Sequence, residues 1–340
     1  MKRTAETADT ERLDTEEAII QGYLAPLAAG FPGALGLKDD CAVAAPAPGH
    51  EFVFKTDAIA EGVHFLPGDP PADIGWKALA VNVSDLAAKG ARPVGYLMSL
   101  AFPEAPMRTW MAEFARGLAE AQAAFGIHLM GGDTDRRPGP ISITPMVVGE
   151  VPAGRMVRRG AARPGDIVCV SGTLGCSALG LKLRRDRRFA RRWGLDATQC
   201  EALIGRFLRP APRLALAGAV VANARAAMDV SDGLMKDLGR MCRASGVGAV
   251  IQYTALPVSQ AFAKVRAVDP VASEAALFAG DDYEILTALP PERMAAFTAA
   301  ARAAGVPVMA VGHFTGSGGV NLLDRDGQPM LLGATGWDHF

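Results

Sequence analysis

The chain has 340 residues, room for about two domains, and half of it is apolar, enough to bury one or two sizeable cores. Its 35 Lys and Arg against 36 Asp and Glu leave a formal net charge of −1, which argues against a protein whose main task is gripping nucleic-acid phosphates. From Met1-Lys2-Arg3 the N-terminus leads into polar sequence without an apolar core, so no signal peptide is expected, and no uninterrupted apolar stretch is long enough to cross a bilayer.

In chain order, residues 1–10 are expected to fray. The spacing predicts a helix from about Asp14 to Leu27, closed by Gly30 and Pro32. Strands are expected over Cys41–Ala45 and Glu51–Asp57. Asp73 is the candidate N-cap of a helix running to Lys89, stopped by Gly90 and Pro93. Gly95–Phe102 reads as a strand. From Met107 to Phe125 the residues Met107, Trp110, Met111, Phe114, Leu118, Ala121 and Phe125 recur at helical spacing, and Gly126 ends the run. Ile127–Met130 and Ile141–Val151 are expected as strands around a Gly131-Gly132-Asp133 loop.

In the second half, Pro164-Gly165-Asp166 is a turn into the strand Ile167–Ser171, and Gly172–Gly180 opens a helix. The basic stretch Lys182 to Arg192 has only Phe189 and Trp193 near it as aromatics, so it reads as a solvated helical face. Helices are expected over Ala211–Ala227 and Gly233–Ser245, a strand over Gly248–Tyr253, and helix–strand alternation from Glu274 onward. Strands alternating with helices in both halves predict an α/β (α+β) protein of two domains, 1–152 and 153–340.

The chemistry lies in aspartates beside glycine, serine or threonine: Asp39-Asp40, Asp57, Asp85, Asp133, Asp229 and Asp232. Clustered carboxylates repel unless a cation sits among them, and hard divalent ions take such oxygen ligands, so a Mg²⁺–nucleotide complex is the natural client. Asn82 and Asp85 share a helix face, which serves either an ordinary core or a metal–phosphate site. Asp229 and Asp232 repeat that spacing at a helix start, where capping and anion binding are compatible. Gly131-Gly132-Asp133-Thr134 is either a plain turn or a loop that brings backbone amides to phosphate oxygens. No G-x-x-x-x-G-K-[ST] occurs, which excludes a P-loop. His64 between Val63 and Phe65 is either a structural hydrogen-bonder or a ligand contact. Cys41, Cys169, Cys176, Cys200 and Cys242 form no C-x-x-C pair and read as reduced thiols of a cytoplasmic protein.

Taken together and in order, these runs resemble the thiamine-monophosphate kinases, of the ATP-binding family that includes aminoimidazole ribonucleotide synthetase and selenophosphate synthetase. The likeness covers Asp39-Asp40-Cys41-Ala42, Thr56-Asp57, Glu61-Gly62-Val63-His64-Phe65 and Lys77 through Asp85. It continues through Gly131-Gly132-Asp133-Thr134, Arg159-Gly160-Ala161 and Met228 through Leu234, then Gly280-Asp281-Asp282-Tyr283-Glu284 and Gly336-Trp337-Asp338-His339-Phe340.

The resemblance implies transfer of the γ-phosphoryl group of ATP to thiamine phosphate, giving thiamine diphosphate and ADP. It implies several Mg²⁺ ions held by Asp40, Thr56, Asp57, Asp85, Asp133, Asp229 and Asp232. Gly132, Asp133, Arg159 and Ser231 match positions that handle ATP; His64, Asp281 and Trp337 match positions that meet thiamine phosphate. The implied protein is a homodimer joined through its N-terminal sheet, with a C-terminal α/β lobe and no nucleic-acid or membrane partner. Lys38, Lys55, Lys89 and Asp281 depart from that pattern, and Lys55 sets a positive charge beside the metal positions. Selenophosphate synthetase would need a cysteine before the first aspartate pair, and none occurs in residues 1–38. A cyclo-ligase and a non-catalytic nucleotide-binding regulator are the remaining alternatives. Phosphoryl transfer needs positioning and charge neutralisation more than covalent catalysis, so direct in-line transfer without a dedicated catalytic residue is expected.

Overall fold

The computed structural model describes residues 11–13, 15–316, 318–330 and 336. Residues 1–10, Asp14 at the expected helix start, and Trp337 with the residues after it lie outside that set. The chain divides into two compact units, residues 1–83 with 92–154, and residues 84–91 with 155–340.

In the first unit, Thr15 caps α1 (Glu16–Ile19) by accepting the Ala18 N–H at 3.2 Å. The helix widens to a π turn over Ile20–Leu24 and resumes as α2 (Ala25–Ala28). Pro26 explains the widening, because it has no N–H to return to the preceding turn. The expected strand Cys41–Ala45 does not form. Instead Val43 donates its N–H to the Gly33 carbonyl at 2.8 Å.

Then come β1 (His50–Thr56), β2 (Ile59–Ala60), α3 (Pro71–Lys89), β3 (Arg92–Phe102), α4 (Arg108–Phe125), β4 (His128–Arg136) and β5 (Ser142–Pro152). The sheet order is β1-β5-β3-β4, with β2 on β5. Only β3 and β4 run parallel, joined by α4 as a crossover. Asp73 is not the N-cap of α3; it lies inside the first turn, because Pro71 already has the φ of a helix start. At the other end Gly90, at φ 74°, lets Ala91 donate back to the Leu86 carbonyl at 2.9 Å. Helices α3 and α4 meet backbone to backbone. A Cβ on Gly117 would stand 1.9 Å from the Ala72 carbonyl oxygen, and one on Gly75 would stand 2.5 Å from that of Phe114.

The second unit holds β6 (Ile167–Ser171), α5 (Cys176–Arg185), α6 (Arg188–Arg192), α7 (Ala197–Leu208), α8 (Ala217–Asn223), β7 (Ala226–Val230) and α9 (Leu234–Ser245). It continues with β8 (Gly248–Gln252), α10 (Gln260–Val268), α11 (Pro270–Leu277), β9 (Glu284–Leu289), α12 (Met294–Ala303), β10 (Val308–Thr315) and β11 (Val320–Leu323). Its sheet order is β11-β8-β10-β6-β9-β7, antiparallel except for β8 with β11. Every residue of β7 and β9 is buried, one face against α9 and α5, the other against Leu216, Val220, Phe297 and Ala301. That two-sided burial departs from the helix expected over the apolar run Ala211–Ala227. The run is not one helix: α8 covers only its middle, and its end is already β7. A strand covered on both faces is as continuously apolar as a buried helix.

Candidate functional site

In the first unit, the register places Thr56 opposite Met146, and Met146 opposite Leu97. One rung along, Thr144 stands opposite Ser99, and Ser99 opposite Asp133. Directly paired residues share a face, so Thr56 and Asp133 belong to the same side of the sheet. That side walls a cavity of about 890 Å³ whose polar lining includes Asp39, Asp40, Thr56, Gly132 and Asp133. Phe52, Phe54, Leu97, Met146 and Val148 make it apolar elsewhere. Sequence-distant residues of the expected metal and nucleotide set thus converge there.

Gly131-Gly132-Asp133-Thr134 is not a loop; it lies within β4. Gly132 is required by close strand packing, since a Cβ there would fall 2.0 Å from the Met98 carbonyl oxygen. Thr56 donates its hydroxyl to the Pro145 carbonyl at 2.9 Å. The Asp57 carboxylate is met by Lys55 at 2.9 Å, and its backbone is fixed by Asn82, which is wholly buried. Asn82 therefore serves the Asp57 main chain rather than pointing at a ligand. His64 accepts the Ala60 N–H on Nδ1 at 3.0 Å, so its neutral ring carries the proton on Nε2. The buried Lys77 donates to the His64 carbonyl at 2.8 Å and pins that turn.

In the second unit, Asp229 is buried in β7, and Ser231 and Asp232 form the turn into α9. Asp237, not singled out in the sequence, organises this turn. Its Oδ2 accepts the N–H groups of Ser231 at 3.0 Å and Asp232 at 2.9 Å. Burial pushes the Asp237 carboxyl up to about 6, against the pull of the Asp232 N–H and of Arg240. Arg240 bridges Asp237 and Asp232. The same turn receives the loop before β9: Asp281 donates its N–H to the Ser231 carbonyl at 2.8 Å, and Tyr283 to that of Val230 at 2.8 Å. Gly336 also closes on it, where a Cβ would stand 2.5 Å from the Asp232 carbonyl oxygen. The Arg159 carbonyl accepts from Ser245 at the C-terminal end of α9, and the neighbouring Arg158 carbonyl accepts the Ala227 N–H of β7 at 3.4 Å. Asp85 is half-buried on α3.

Among the described residues, no three or more His, Cys, Asp or Glu side chains are gathered so as to hold a metal ion. The donors at the cavity, carboxylates and a hydroxyl, nevertheless suit a hard cation rather than a soft one.

Residues 38–151 match the N-terminal domain, and residues 163–325 the C-terminal domain, of the AIR synthase related proteins. A thiamine-monophosphate kinase of Escherichia coli K12 is 39% identical over 307 residues, which cover 90% of this chain and 92% of that protein. The chain belongs to the thiamine-monophosphate kinase family. The crystal structure of the family member from Stenotrophomonas maltophilia is 34% identical and superposes with a TM-score of 0.82, over 94% of this chain and all of that one. AaThiL in complex with AMPPCP and TMP is also 34% identical, with a TM-score of 0.75 over 89% of this chain and 91% of that one. Kinases of this family are enzymes with a mixed α/β fold, and this chain shares both. No helix among its described residues is long and apolar enough to cross a membrane.

Proposed function

We propose that the chain transfers the γ-phosphoryl group of ATP directly, in line, to thiamine phosphate, giving thiamine diphosphate and ADP. The observation that carries this reading is the convergence of Asp40, Thr56, Gly132 and Asp133 on one cavity in a chain of this family. A relative holding an ATP analogue together with TMP supports the pair of substrates. Residues 1–152 would bind ATP and Mg²⁺ and dimerise, and residues 153–340 would complete the nucleotide and substrate site.

Asp40, Thr56, Asp57, Asp85, Asp133, Asp229 and Asp232 would hold Mg²⁺ ions, whose charge offsets the repulsion between two phosphorylated molecules. Gly132, Asp133, Arg159 and Ser231 would meet ATP, and His64, Asp281 and Trp337 the acceptor. The His64 Nε2–H is a donor suited to an anionic acceptor oxygen. The acceptor is a phosphate monoester ionised near neutral pH, so no strong general base is needed, and the residues' work is orientation. Phe54, 62% exposed on the sheet face that also walls the cavity, is an apolar side chain that a homodimer joined through that sheet would cover. A cytoplasmic location fits reduced thiols.

Incubation with ATP, Mg²⁺ and thiamine phosphate, followed by phosphorus NMR, should give a new diphosphate and ADP only when the acceptor is present. ADP formation without acceptor would overturn the reading. A labelled phosphoryl group that stays on the protein through a chase would overturn direct transfer.

A further inference from the structure

The loop that carries Asp281 is held by a buried ion cluster around Glu284. Glu284 is wholly buried. Its carboxylate accepts from Arg206 at 2.9 Å, from Arg213 Nε at 2.6 Å and from the Ser171 hydroxyl at 2.7 Å. Gly172 leaves room for it, since a Cβ there would stand 2.1 Å from Glu284 Oε1. Arg206 also donates to the Asp282 carbonyl at 3.1 Å, and both Asp282 carboxylate oxygens accept the Gly175 N–H at 2.9 Å. From the other side Gly280 packs on the Ser231 carbonyl, where a Cβ would fall at 2.5 Å.

Inside this frame Asp281 and Tyr283 take φ values of 61° and 52°, the left-handed region that non-glycine residues rarely enter. Such conformations persist where the surroundings over-determine them, and they gather at ligand sites. Asp281 is half-exposed, whereas Asp282, Tyr283 and Glu284 are buried. The Tyr283 hydroxyl donates to Asp281 Oδ1 at 3.0 Å.

We infer that Tyr283 is a positioning residue for the acceptor: by engaging one oxygen of Asp281, within a turn clamped by Glu284, Arg206 and Arg213, it sets the other oxygen toward the cationic ring end of thiamine phosphate. A carboxylate repels the phosphate end of that molecule and attracts its thiazolium, so Asp281 reads the ring and leaves the phosphate to other groups. This rests on the acceptor role of Asp281 proposed above.

The test is steady-state kinetics of the full chain carrying Tyr283→Phe, which keeps the buried ring and removes only the hydroxyl. The KM for thiamine phosphate should rise about tenfold, the loss of one hydrogen bond to a charged group, with kcat and the KM for ATP unchanged. In an Asp281→Asn background the same substitution should have little further effect. An unchanged KM, an equal rise in both KM values, or a full effect persisting beside Asp281→Asn overturns the inference. A wild-type chain that forms no thiamine diphosphate overturns the functional reading itself, a result distinct from an active wild type with an indifferent Tyr283→Phe.

Discussion

Asn82 grips Asp57 by both polar groups of its backbone. The Asp57 N–H donates to Asn82 Oδ1 at 2.7 Å, and Asn82 Nδ2 donates to the Asp57 carbonyl at 3.1 Å. The same amide reaches back to the Ala78 carbonyl at 3.1 Å, tying the turn after β1 to helix α3. Asn82→Ala would strand these groups where Asn82 is wholly buried. A loss of about 2 kcal/mol in stability is expected, with reduced turnover because Asp57 is released. Urea unfolding and initial rates check this; a variant that matches wild type in both would show the clamp to be idle.

Lys55 sets a cation 2.9 Å from the Asp57 carboxylate, half of whose side chain is exposed. A cation so placed competes with Mg²⁺ for Asp57. Lys55→Thr should lower the Mg²⁺ concentration for half-maximal activity about fivefold at low ionic strength, and less as salt screens the pair. A Mg²⁺ titration at two salt concentrations decides it. An unchanged midpoint would remove Asp57 from the metal set.

Asp133 faces the cavity beside Gly132 and shares its sheet face with Thr56. Asp133→Asn keeps the shape and deletes the charge, so turnover should fall on the order of a hundredfold, as when one strong transition-state contact is lost. Melting should hardly change, because the residue is exposed. Near-wild-type turnover would count against its role.

Legibility in the sequence followed the physics of each segment. Helix α4 was legible because one face alone is buried, which writes a 3.6-residue period from Met111 to Phe125. Strand β7 was not, since burial on both faces erases the period. The aspartate positions stood out as residue types, and Asn82 as a polar residue on the Asp85 face, but what each support holds in place did not. Asn82, Lys77, Asp237 and Glu284 act through partners that the fold alone supplies, in Glu284's case more than seventy positions away in sequence for each arginine. Asp237 had one faint signal, an acid in the first turn of α9.

Burial pushes the Asp282 carboxyl from 3.8 up to about 8, against the opposing pull of the Gly175 N–H and Arg206. The folded chain therefore holds this proton more tightly than the unfolded one. Its contribution to stability is full below pH 3.8 and is lost as pH rises toward about 8. Asn mimics the protonated acid and cannot ionise. The melting temperature of wild type minus that of Asp282→Asn should therefore fall steadily as pH rises from about 4 to about 8. A constant difference across that range would refute the assignment.

Gly132 and Gly131 give the sharpest contrast between strand packing and phosphate binding. A Cβ at Gly132 would meet Met98 backbone atoms at 2.0, 2.9 and 3.1 Å, and β3 is held on both sides by β5 and β4. That backbone has nowhere to go. At Gly131 the nearest atom is the end of the Leu97 side chain at 3.2 Å, which can turn away. Gly132→Ala should therefore destabilise the chain by about 3 kcal/mol, whereas Gly131→Ala should cost less than about 1 kcal/mol. Thermal melting of the two variants separates the cases. If Gly132→Ala melted like wild type yet lost nucleotide affinity, the glycine would be serving an approaching phosphate instead of the neighbouring strand.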